Sequence, residues 1–210
     1  LPVTQEQWEV VMGNNPSYIK GPNLPVTDVT WNSCFLFIDK LNALTSGGFR
    51  LPTEAEWESA CRAGTTTATY FGETIGLENA NIRVSVPLKP LPGKNVKPKV
   101  AFGEIDIANF SNGINYHRPQ PAIKPVKLYS PNSFGLYDMH GNVWEWCMDN
   151  FNSSRTYHTL RGGAWDFYGS GLMSSARNAN DPNVRGTSVG FRIAWATQEH
   201  FSNQPKTVRT

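Results

Sequence analysis

The chain has 210 residues, 19 Lys and Arg against 17 Asp and Glu, 12% aromatics including 7 Trp, 18 Gly and 15 Pro. That length supports one sizeable core, the aromatic content excludes a disordered chain, and so many Gly and Pro exclude a helical bundle. A net charge of +2 is too weak to argue for a nucleic-acid partner, and no apolar run approaches the roughly 18 residues of a membrane span.

Along the chain, Thr4-Gln5-Glu6-Gln7 is a capping box, in which the Thr hydroxyl takes the amide three residues on and the Gln reaches back. It predicts a helix carrying Trp8, Val10, Val11 and Met12 and ending at Gly13-Asn14-Asn15-Pro16. Thr30 precedes a second helix, with Cys34, Phe35, Phe37, Ile38 and Leu41 at helical spacing and Gly47-Gly48 past its end. Thr53-Glu54-Ala55-Glu56 is another capping box; the stripe Trp57, Ala60, Cys61 predicts a short third helix stopping near Gly64. Residues 75–130 are rich in Pro, Lys, Asn and Gly and read as a loop-rich insertion whose lysines, Lys89 to Lys127, form a solvated face. Short strand-like runs follow at 143–146, 159–161 and 189–193. The expected class is α+β, helices first and small antiparallel strands late, as one domain over 1–197 with a polar tail at 198–210.

Three cysteines, Cys34, Cys61 and Cys147, have neither zinc-site nor C-x-x-C spacing, and their odd number prevents complete internal pairing. All lie in apolar stretches, where buried free thiols are common. The four histidines are scattered, and neither a nucleophile elbow nor a phosphate-binding Gly loop is present.

Four stretches, in this order, carry a family resemblance: Arg50-Leu-Pro-Thr-Glu-Ala-Glu-Trp57, Asn132 through Gly-Asn-Val-Trp-Glu-Trp146, Leu160-Arg-Gly-Gly-Ala-Trp165 and Val189-Gly-Phe-Arg192. Together they resemble the formylglycine-generating-enzyme (sulfatase-modifying factor) domain, which implies a C-type lectin fold with much irregular loop. The oxidases of that family use two cysteines to bind copper; the matching positions here are about Phe167 and Leu172, so the resemblance implies a fold without that activity. It also suggests calcium, held by the Asp138 and Glu145 side chains and the Gly141 and Val143 carbonyls, as hard oxygen ligands suit Ca²⁺. The alternative is that both carboxylates bond turn amides or arginines. No other cofactor is required.

From Arg161 to Thr197 there is no Lys, Glu or Gln. Between fixed family positions sit Asp166, Phe167, Tyr168, Ser170, Gly171, Asn178, Ala179, Asn180, Asn183, Val184, Gly186, Thr187 and Ser188, a paratope-like mixture of aromatics with Gly, Ser and Asn. The region 161–193 resembles the variable region of diversity-generating-retroelement proteins, of the treponemal variable lipoprotein type, whose mutagenesis at template adenines in Asn codons cannot yield Lys, Glu or Gln. The resemblance implies a non-catalytic, receptor-like protein displaying residues 166–188 to an unknown protein or other macromolecular ligand, with Phe167 and Tyr168 as exposed anchors. It implies a monomer at a bacterial cell surface, lipid-anchored through a segment outside this chain. Alternatives are an oxidase or other enzyme of the same fold, with Cys147 as the nearby motif thiol, and a degenerate inactive member.

Overall fold

The computed structural model describes residues 1–83, the backbone of 86–87, and residues 122–153 and 156–196. Most of the 75–130 region and the 198–210 tail lie outside the described residues.

All three sequence-predicted helices are present. Helix α1 (Gln5–Met12) has both halves of the Thr4 capping box and closes on Gly13, whose φ of 77° suits glycine. Helix α2 (Trp31–Leu44) starts from the Thr30 hydroxyl and buries Cys34, Phe37 and Ile38. Strand β1 (Phe49–Arg50) follows, then α3 (Glu54–Arg62), capped by the Thr53–Glu56 box and burying Trp57 and Cys61. Beyond lie β2 (Thr74–Ile75), β3 (Val86–Pro87), β4 (Trp144–Asn150), β5 (His158–Arg161), a short 3₁₀ turn over Gly169–Leu172, β6 (Arg177–Asn180), β7 (Val189–Phe191) and β8 (Ala194–Trp195). Among the described residues, no helix is long and apolar enough to cross a membrane.

The main sheet has the order β6-β5-β4-β7, with β1–β8 and β2–β3 as separate antiparallel pairs. Strands β4, β5 and β6 are antiparallel neighbours, with Trp146 opposite Leu160 and Leu160 opposite Asn178. The pairing of β4 with β7 is parallel, Trp144 beside Val189 and Trp146 beside Phe191, which departs from the all-antiparallel expectation. A parallel neighbour requires a crossover, and residues 181–188 supply it.

The largest core lies between α1, α2 and the sheet. Trp8 stacks on Phe37 at 5.3 Å and meets Phe191 edge-on at 6.0 Å, with Trp146 and Leu160 in the same cluster. A second cluster joins Ile75, Ala80, Ile82 and Leu172, and a third joins Trp57, Cys61, Met139 and Cys147. The two ends of the loop-rich region therefore belong to the scaffold. Asn142, in the left-handed region at φ 66°, accepts from Asn81 Nδ2 (3.0 Å) and the Lys124 amide (2.9 Å) and donates to the Lys124 carbonyl (3.0 Å). A Cβ on the neighbouring Gly141 would lie 2.5 Å from the Asn81 carbonyl, so only glycine fits there.

Candidate functional site

Two charge clusters fix the segment that the sequence singled out. In the first, buried Glu145 on β4 receives Trp57 Nε1 (2.6 Å) from α3, and Arg192 Nε (2.5 Å) and Nη2 (2.9 Å) from beyond β7. Arg192 Nη2 also donates to the Tyr137 and Asp138 carbonyls at 3.1 and 3.3 Å. Residue types with matched charge and five fixed donors make such a site self-consistent when dry. In the second, Arg161 on β5 pairs with Glu54 (2.9 Å) and Glu58 of α3 and donates to the Ser174 (3.0 Å) and Ala176 (2.8 Å) carbonyls. Glu54 also takes Arg177 in a two-pronged pair. The chain just before β6 and the first residue of β6 are thereby tied to α3.

The residues suggested for calcium do not fit it. The Glu145 carboxylate already accepts three N–H donors, and the cation lying between Glu145 and the Asp138 backbone is the Arg192 guanidinium. The Asp138 carboxylate accepts the Lys127 amide at 2.7 Å, and burial pushes its pKa up. The Gly141 carbonyl accepts the Val143 amide at 2.9 Å. Both carboxylates instead bond an arginine or a turn amide, as in the alternative.

The candidate ligand-contact residues divide by burial. Tyr168, Ser170, Asn183, Val184 and Thr187 are exposed; Asp166, Gly171, Ala179, Asn180, Gly186 and Ser188 are half-buried. Burial raises the pKa of the Asp166 carboxyl, partly opposed by the Ser188 hydroxyl, which brings the two ends of the segment together. Asn183 is ordered by the Asp181 carboxylate, which accepts its amide at 2.8 Å, and by Asn32 Nδ2 at 3.2 Å.

Two residues depart from expectation. Phe167 is not an exposed anchor. It is half-buried, meets Trp144 edge-on at 5.0 Å with an interplanar angle of 89°, and packs against both the main core and the Leu172 cluster. Asn178 is buried as well, because it lies within β6 opposite Leu160. The sequence reading missed β6; Arg-Asn-Ala-Asn carries no β-branched or aromatic residue to signal a strand, and its place at the sheet edge comes from pairing with β5 and the Arg177–Glu54 bond.

The thiols are all buried. Burial pushes Cys61 up to about 12 and holds Cys34 and Cys147 well above the usual thiol range. Cys61 Sγ lies 3.6 Å from both His140 Nε2 and Ser174 Oγ, an arrangement the sequence did not suggest. Burial lowers His140 to about 4, so the pair is a neutral thiol beside a neutral imidazole and not an activated nucleophile. Leu172 is fully buried in the cluster that Phe167 packs against, so the two positions that the family resemblance aligns near the oxidase cysteines are apolar packing residues.

A model of the sulfatase-modifying factor enzyme 1-like domain matches residues 2–197. The chain belongs to this family. The formylglycine-generating enzyme of Streptomyces coelicolor is 30% identical over 208 residues, covering 89% of this chain, and the chain spans 57% of that enzyme's length. The inactive Cα-formylglycine-generating enzyme 2 of Bos taurus is 27% identical, covering 92% of this chain and 58% of its own. Among solved structures, Treponema denticola variable protein 1 superposes with a TM-score of 0.63 and 27% identity, covering 92% of this chain and 82% of that one. The fold is α+β and C-type-lectin-like, and its family contains both enzymes and non-enzymatic members.

Proposed function

We propose that this chain is a non-catalytic ligand-binding domain whose 166–188 segment is diversified by a retroelement and displayed to a macromolecular ligand. The contact set is the exposed part of that segment: Tyr168, Ser170, Asn183, Val184 and Thr187. Phe167 and Asn178 are scaffold. The observation that carries the reading is the apolar contact of Phe167 with the Leu172 cluster, where the family's oxidases place their cysteines. The burial and protonation of Cys34, Cys61 and Cys147 support it further, because copper ligation and nucleophilic attack both need an accessible thiolate. Tyr168 supplies rigid contact area, while Ser, Asn and Thr supply adaptable hydrogen bonds.

The test is to sequence the DNA encoding residues 161–193, with its flanks, across isolates. A reverse-transcriptase gene and a near-copy differing at adenines are expected, with substitutions concentrated at the five exposed positions and rare at Phe167 and Asn178. An invariant segment without a second copy removes the diversification. Stoichiometric copper in the purified protein, lost in Cys147→Ser, removes the non-catalytic reading.

A further inference from the structure

The main sheet has one covered edge and one open edge. At β7, the Val3 amide donates to the Phe191 carbonyl at 2.9 Å, and the Val26 carbonyl lies 2.6 Å from where a Cβ on Gly190 would stand. The opposite edge is β6, paired with β5 alone; among the described residues no backbone from another element bonds its outer side. We propose that the β6 edge is a self-pairing surface held closed by Asn178 and Asn180: the chain stays monomeric with both caps in place and pairs β6 to β6 with a second copy when they are lost.

The hydrogen bonds fix which way each group faces. The Ala179 amide donates to Asn178 Oδ1 at 2.8 Å, and the Asp181 amide donates to Asn180 Oδ1 at 3.0 Å. Backbone groups alternate along an antiparallel ladder, so Asn178 and Asn180 turn theirs toward β5, while Arg177, Ala179 and Asp181 turn theirs outward. Each cap thus occupies an N–H that an incoming strand would need. An open edge is a template for pairing with another chain, and Arg-Asn-Ala-Asn contains neither the lysine nor the proline that commonly blunts one. The core does not call for these asparagines either. Asn178 lies opposite buried Leu160 and Asn180 opposite buried His158, where an apolar side chain would pack.

A second copy fits the opened edge. A two-fold axis through Ala179 sets β6 antiparallel to itself. The two Ala179 residues then exchange both of their backbone bonds, and each Asp181 amide meets the Arg177 carbonyl of the other copy. The same register places each Arg177 opposite an Asp181, so the pair is matched in charge. Caps and second copy compete for the same two amides. Asn178 and Asn180 are edge guards in this arrangement and not ligand contacts, and the inference stands independently of diversification.

Molar mass is measured by light scattering across a dilution series. The proteins are the parent chain, Asn178→Leu/Asn180→Leu, and that double variant with Ala179→Pro added. Leucine keeps the branching of asparagine without its acceptor, and proline removes an outward N–H, which an edge strand tolerates. The parent is expected to be monomeric, the double variant to double in mass as concentration rises, and the added proline to return it to monomer. A dimeric parent, a double variant monomeric throughout, or association that survives Ala179→Pro would overturn the proposal. Amide exchange tests the caps even if the double variant does not fold. In the parent, the Ala179 and Asp181 amides should exchange at least roughly tenfold more slowly than in an unfolded chain. Asn178→Leu should free only Ala179, and Asn180→Leu only Asp181. Exchange at the unfolded rate in the parent overturns the proposal as well.

Discussion

Truncating Phe167 and truncating Tyr168 should have opposite consequences, although the two residues are adjacent. Phe167→Ala removes a ring that meets Trp144 edge-on and fills the seam between the main core and the Leu172 cluster. A fully buried Phe→Ala costs about 3–5 kcal/mol, and an aromatic pair contributes about 0.5–1.5 beyond area. Phe167 is half-buried, which brings the expected loss to about 2–3 kcal/mol, or roughly 5–10 °C in Tm for a chain of this size. Tyr168→Ala, at an exposed position, should stay within about 0.5 kcal/mol. A second substitution checks the geometry. A Cβ on Gly171 would lie 3.2 Å from Phe167 Cδ1, so Gly171→Ala should destabilise the parent by about 1 kcal/mol and be harmless once Phe167 is Ala. Urea unfolding followed by Trp fluorescence, on the two singles, the Gly171 variant and the double, measures all of this. Equal losses for Phe167→Ala and Tyr168→Ala, or strictly additive effects of Phe167→Ala and Gly171→Ala, would refute the packing argument.

Glu145→Gln should cost about 3–5 kcal/mol, because it leaves the buried Arg192 guanidinium without its counter-charge, and Arg192→Met paired with Glu145→Met should recover most of that in thermal melts. His140 links stability to pH. Its pKa falls from about 6.5 unfolded to about 4 folded, so the unfolded chain binds more protons between those values, and stability drops as pH falls from about 6.5 toward 4. At 1.36 kcal/mol per unit the full effect is about 3 kcal/mol. Urea midpoints at pH 7, 5.5 and 4.5 should show it, and His140→Gln should flatten the part of the slope that His140 carries.

The parts of this fold legible in the sequence are those decided locally. Thr4 and Thr53, each three residues before a Gln or Glu, set two helix starts correctly, and the Trp57-Ala60-Cys61 stripe identified the buried face of α3. The motifs around Trp144–Trp146 and Val189–Phe191 located the two strands that carry the core. What was hidden depends on pairing across long separations. Strand β6 is made by its neighbour β5 and by Glu54, more than a hundred residues earlier. Phe167 reads as a loop aromatic until Trp144 and Leu172 are placed beside it. Arg192 and Glu145 reveal themselves as partners only in three dimensions, and that pairing decides against calcium.

Strands β6 and β7 occupy opposite edges of the main sheet and run in the same direction. The chain leaving Asn180 must therefore traverse three strand spacings, about 14 Å, and also travel back four residues, about 13 Å, along the strands before it enters β7 at Val189. Nine steps reach at most about 30 Å, and the slack is spent in two tight turns, Val184 amide to Asp181 carbonyl and Val189 amide to Gly186 carbonyl. The chord thus holds its slack in those two turns while several of its side chains are exposed. Substitution along it is cheap, whereas deleting three residues would leave six steps, about 20 Å, and force both turns open to keep β7 beside β4 and Phe191 in the Trp8 cluster. A segment built this way can vary its chemistry freely only at constant length.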